Sequence, residues 1–203
     1  MKYKFIFALL VLFAIAAPAQ ISNQKNFTQG YIVLLNGDTL KGNLALLTDE
    51  ESCSFISFKK NTLDTVTTFT PDKVRVYNRE NFFYEARPVT DKKTFFFQLI
   101  ENGKVKLYKY AYEYTKFGAS GEKTIDRSGP VEIQHSNKPI EKTYDYYLEK
   151  TNGDFKKISR LNQRGDLWTF FKGNEEMVKK IKNSKIEYDE IPTLIKEFNS
   201  SNK

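Results

Sequence analysis

The chain has almost none of the residues on which thiol, imidazole or metal chemistry rests. Cysteine occurs once, at Cys53, and histidine once, at His135. A lone cysteine cannot close an intrachain disulfide. Cys53 lies in residues 52–58, which read as a strand, and there a free thiol is expected as a small buried hydrophobe rather than a nucleophile. Zinc needs more nitrogen and sulfur donors than one of each, and no Asp-x-Asp-x-Asp-Gly calcium loop occurs. No metal and no cofactor is expected. A Ser-His-Asp or Cys-His arrangement would have to use His135, and no serine stands in a Gly-x-Ser-x-Gly elbow. Gly118-Ala119-Ser120-Gly121-Glu122-Lys123-Thr124 lacks the four-residue gap and the Gly-Lys-Ser/Thr ending of a phosphate loop. No catalytic residue is therefore assigned.

Concentrated charge is missing as well. The net charge is +7, but acidic residues sit among the lysines and no basic stripe forms. Nucleic acid is not an expected partner. Long apolar runs are scarce too, and past Ala17 none approaches the roughly 20 residues of a spanning helix.

The one long apolar run is at the start. Lys2 and Lys4 precede an uninterrupted apolar stretch from Phe5 to Ala17, and Ala17-Pro18-Ala19 follows with small residues two apart. This is the pattern of a secretory signal peptide over residues 1–19, cleaved after Ala19. Polar Gln20, Ser22, Asn23 and Gln24 end the run too early for a membrane anchor. A bacterial lipid anchor would need cysteine where Gln20 stands. The expected product is a soluble protein of the periplasm or the cell exterior, with no membrane span after cleavage.

What the rest of the chain has is turns and short strands. Residues 20–29 are polar and aperiodic, a flexible leader. Asn36-Gly37, Asn102-Gly103 and Asn152-Gly153 each separate two strand-like runs, the signature of hairpins with type I′ turns. Strands are expected around residues 31–35, 39–46, 53–58, 65–69, 74–77, 82–85, 95–100, 105–114, 144–149 and 155–158. Leu40, Leu44 and Leu46 share a face, and Gly42 among them marks a bulge or bend. Short strands without helical periodicity between them give a mainly β, antiparallel meander closing into a small barrel or sandwich. The β-rich domain covers 30–162, divisible into sub-barrels at 30–88 and 89–162. Residues 118–138 read as a long loop.

A change of period follows. Residues 163–203 form a helical segment, with one helix through Leu167, Trp168, Phe170 and Phe171. A second is capped by Asn174, and a last one, capped by Asp189, carries Ile191, Leu194, Ile195 and Phe198 at helical spacing. It is expected to pack its apolar stripe on the sheet, making the class α+β.

Gly30-Tyr31-Ile32-Val33 followed by Asn36-Gly37-Asp38-Thr39-Leu40-Lys41-Gly42 resembles uncharacterised exported proteins common in Bacteroidota. The resemblance continues in Gly103-Lys104-Val105-Lys106-Leu107-Tyr108 and in 186–199. It implies a periplasmic or secreted location and supplies no catalytic residues.

One cluster stands out. Tyr108, Tyr110, Tyr112 and Tyr114 alternate along a strand, which puts four phenols on one face. Tyr144 and Tyr146, with Tyr147, add to it if their strand is a neighbour. Such a face is either a stacking platform for sugars or peptide or a set of cross-strand pairs that steady the sheet. The first reading makes these tyrosines ligand-binding residues of a non-enzymatic envelope protein whose partner is a protein or glycan. The competing reading is a carbohydrate or peptide hydrolase drawing two distant carboxylates to the tyrosine face, which requires a cleft holding such a pair.

Overall fold

Alternating apolar residues dictate strands, and the computed structural model forms ten of them. It describes residues 26–90, 93–115 and 140–201. The signal segment 1–19, most of the leader and the loop over 118–138, with Ser120 and His135, lie outside the described residues. In chain order come β1 (Phe27–Leu34), β2 (Thr39–Ala45), β3 (Ile56–Lys59), β4 (Thr67–Phe69) and β5 (Val74–Arg79). These are followed by β6 (Phe82–Thr90), β7 (Lys93–Glu101), β8 (Val105–Thr115), β9 (Ile140–Lys150) and β10 (Phe155–Ile158). Among the described residues four α-helices, α1 (Asp49–Ser54), α2 (Gln163–Phe170), α3 (Glu175–Asn183) and α4 (Ile191–Ser201), and one 3₁₀ turn at Tyr188–Glu190 complete the order.

All ten strands join one antiparallel sheet in the order β10-β9-β8-β7-β6-β5-β1-β2-β3-β4. Two meanders meet where β5 returns beside β1. The expected barrel is not formed, for the sheet is open, with β10 and β4 as its edges. Strand β6 pairs with β5 through Phe82–Glu85 and with β7 on its other side, with a register shift between Pro88 and Thr90. Ile32, Leu44, Ile56, Tyr77, Tyr84 and Phe96 form one core in the first half. In the second half α2, α3 and α4 bury Leu167, Phe170, Ile181, Leu194 and Ile195 against Val105, Leu107, Leu148 and Ile158.

None of the three expected turns is type I′: Gly103 has no left-handed φ, and the other two are bulged. At Asn36-Gly37 only Gly37 has positive φ, at +93°, and the Leu34 N–H reaches Asp38 O at 2.8 Å. Asn152-Gly153-Asp154 repeats the pattern, with the Lys150 N–H on Asp154 O. In both, the asparagine carboxamide oxygen accepts the aspartate N–H. One left-handed glycine after a right-handed residue gives the longer bulged loop instead of type I′. Gly42 faces Gly30 across β1 and β2, and a Cβ there would meet Lys59 O at 2.3 Å.

The start of the strand expected at 53–58 is instead the end of helix α1. Thr48 and Glu51 form a capping box, each side chain accepting the other's backbone N–H, and three acidic residues occupy the first turn where the helix dipole favours them. Cys53 is thus in a helix, and the strand begins only at Ile56. Helix α1 sits where β7 and β8 part. These strands pair at Gln98 with Lys109, Leu99 with Tyr108 and Glu101 with Leu107, and beyond that the Ala111 N–H donates to Cys53 Sγ at 3.3 Å. In the tail, Asn174 caps α3 as expected, accepting the Met177 N–H. Trp168 is exposed while its neighbours Leu167, Phe170 and Phe171 are buried.

Candidate functional site

Register decides which tyrosines meet. Tyr108 lies opposite Tyr147, Tyr110 opposite Asp145 and Tyr112 opposite Thr143. By the two-residue repeat these share one face of the sheet with Phe95 and Phe97. Tyr110 packs against both phenylalanines at 5.1 Å and stacks near Tyr112 at 5.6 Å. Phe155 closes the group against Tyr147 and Tyr108. Tyr114 is placed by its backbone alone, opposite Glu141.

Tyr144 and Tyr146 do not join them. They lie opposite Ala111 and Lys109 and so project from the other face, towards the helical tail. There Tyr146 stacks on Tyr188 at 5.1 Å, and the Tyr146 N–H donates to the Tyr188 hydroxyl, which itself donates to Ile158 O. Tyr144 donates to Asp189 at 2.6 Å, so Asp189 anchors a tyrosine instead of capping α4. Arg160 covers both rings, 4.5 Å from Tyr144 and 4.1 Å from Tyr188. These two tyrosines moor the tail.

Tyr108 is fully buried and held in a charged cluster that the strand pattern does not announce. Its hydroxyl lies 2.9 Å from Glu85 Oε2 and 2.8 Å from Glu149 Oε2. Arg87 Nη2 lies 2.6 Å from Glu85, 2.8 Å from Glu149 and 2.8 Å from that hydroxyl. Lys106 stands further off, 3.5 Å from Glu85 Oε1. Tyr108 has one hydrogen and can satisfy one carboxylate, so Arg87 must serve the other. Burial pushes the Tyr108 phenol well above its ordinary range, and the two carboxylates add to this against the pull of Arg87. Burial lowers Arg87, yet Tyr108, Glu85 and Glu149 outweigh it and leave the guanidinium above its ordinary value.

The paired carboxylates demanded by the hydrolase reading are thus present, drawn from β6 and β9. Their geometry is wrong for it. A glycosidase leaves the gap between its carboxylates open to the scissile bond, whereas Arg87 Nη2 and the Tyr108 hydroxyl fill this one. Cys53 is equally ill placed to attack anything, since burial pushes its thiol up to about 11. No group of three metal-binding side chains occurs among the described residues.

Several hollows occur among the described residues, one of about 370 Å³ beside α1 with Tyr110 and Tyr112 in its lining and another beneath the β8–β9 end of the sheet. This second cavity, of about 340 Å³, opens between the start of β8, the β9–β10 turn, the α2–α3 turn and α4. Val105, Phe170, Phe171 and Phe198 are its buried lining, and Phe171 meets Phe170 and Phe198 at 5.1 Å each. Lys104, Lys150 and Lys172 line it from the more exposed side. No periodicity in the sequence points to it, because its wall comes from four separate elements. No helix among the described residues is long and apolar enough to cross a membrane. Comparison with models of protein families, with curated proteins and with solved structures gives no match to this chain.

Proposed function

We propose that this chain is an exported, non-enzymatic protein of the bacterial envelope that binds a small ligand in the cavity between the sheet and its helical tail. The observation that carries this reading is the cavity itself, concave, aromatic-lined and within the roughly 300–1,000 Å³ of ordinary ligand sites. Export rests on the pattern of residues 1–19, and the resemblance to exported Bacteroidota proteins points the same way. Of the tyrosines on β8 and β9, Tyr108 lies between two carboxylates and Tyr144 and Tyr146 hold the tail, while Tyr110 and Tyr112 line a separate hollow beside α1.

The test is a fragment screen by ligand-observed NMR on the purified chain and on Thr151→Trp. Thr151 is exposed at the cavity's edge, so an indole there blocks entry without disturbing the core. Fragments that bind the parent and not the plugged variant support the reading. Fragments that ignore the plug, or none that bind, overturn it.

A further inference from the structure

The lysines about the cavity are unevenly answered. No carboxylate lines it, and the nearest ion pair, Lys150 with Asp154, is stretched to 4.0 Å. The Lys150 ammonium instead sits 4.8 Å over the Phe170 ring. Lys104 and Lys172 make no ion pair among the described residues. Positive charge is thus gathered on one side of an apolar hollow. The Asn152 oxygen accepts from Asp154 and the Asn174 oxygen from Met177, so these two side-chain oxygens are taken. The ammonium groups are the charged donors of the lining, beside the two carboxamide NH2 groups.

From this arrangement, and resting on the binding reading above, we infer that the cavity takes a single-tailed anionic amphiphile, a free medium-chain carboxylate. Its head lies between Lys104 and Lys172 and its tail against Phe170, Phe171 and Phe198. A neutral apolar ligand would leave the lysines unused. A polyanion would gain nothing from a wall of phenyl rings. Its volume of about 340 Å³ is that of a small-ligand site, and decanoate serves as the medium-chain probe.

Isothermal titration of the purified chain with decanoate, decanol and decyltrimethylammonium tests this. The expected result is one decanoate per chain, bound at least about tenfold more tightly than decanol, with no binding of the cation. The charge-reversed variant Lys104→Glu/Lys172→Glu keeps its affinity for decanol, which shows that the fold and cavity survive, and loses the preference for decanoate. Equal affinity for decanoate and decanol overturns the anionic assignment while leaving the cavity as a ligand site. Failure of all three amphiphiles, together with an empty fragment screen, overturns the binding reading itself.

Discussion

The Asn199 carboxamide pairs with both backbone groups of Val105. Its oxygen accepts the Val105 N–H at 3.0 Å, and its nitrogen donates to the Val105 carbonyl at 2.8 Å. Helix α4 thereby supplies, with one side chain, what a neighbouring strand would supply to the first residue of β8. Gly103 makes the approach feasible, since a Cβ there would lie 2.4 Å from the Asn199 side chain.

Asn199→Ala is therefore expected to cost about 2 kcal/mol, because Val105 is buried and would be left with an unanswered donor and acceptor. Gly103→Ala should cost a similar amount by pushing the carboxamide aside. Combined, the two changes should cost clearly less than their sum, since each removes the same contact. Urea denaturation of the four proteins in the cycle measures this, and strict additivity would contradict it.

Arg87→Leu is expected to destabilise by about 3 kcal/mol, as it strips the shared cation from two half-buried carboxylates. Tyr108→Phe removes one hydroxyl and leaves Arg87 in place, so a loss of about 1 kcal/mol is expected. The order of the two losses in denaturant melts is the check.

Stability should fall in alkali. Burial pushes Tyr84, Tyr110 and Tyr188 up to about 12, while tyrosines of the unfolded chain ionise near pH 10. The folded state therefore holds protons that the unfolded state has released. Its stability is intact below about pH 10 and declines as pH rises towards 12. Denaturant melts across this range, with phenolate absorbance followed in both states, test the sign.

Cys53 should be inert in the native protein. Buried, and with its thiol raised to about 11, it is expected to react with a maleimide roughly a hundredfold more slowly than in denaturant. Comparable rates in the two states would place the thiol at the surface.

Expression in a Gram-negative host should yield a periplasmic product beginning at Gln20, by intact mass. Leucine at both Ala17 and Ala19 should leave the precursor uncut, because the cleavage site needs small side chains.

Much of the architecture was legible from alternation and turns. Each of the ten expected strands corresponds to a strand of the sheet, and Asn174 caps the helix it was expected to cap. Helix α1 was hidden because Thr48-x-x-Glu51 is followed by one turn only, too short to show a helical period against the apolar run after it. The sides taken by Tyr144 and Tyr146 were not readable, because opposition between β8 and β9 is set by pairing across a long connection. One residue of slip exchanges Tyr146 for Tyr147. Two-residue spacing puts Glu85 and Arg87 on one face of β6, but Glu149 joins them, and the cavity walls join each other, only through the fold.

Helix α1 has a consequence for how the molecule comes apart. Ser52 accepts a hydrogen bond from Tyr77 of β5 through its carbonyl, and Cys53, the next residue, accepts one from Ala111 of β8. Asp49 and Glu50 add ion pairs to Lys109 of β8 and Lys142 of β9. Two consecutive residues thus stitch together halves of the sheet that meet elsewhere along a short, irregular seam between β7 and β8. Such a rivet makes the halves one cooperative unit, so the amides of β1 and β9 should become open to exchange in the same event rather than in sequence.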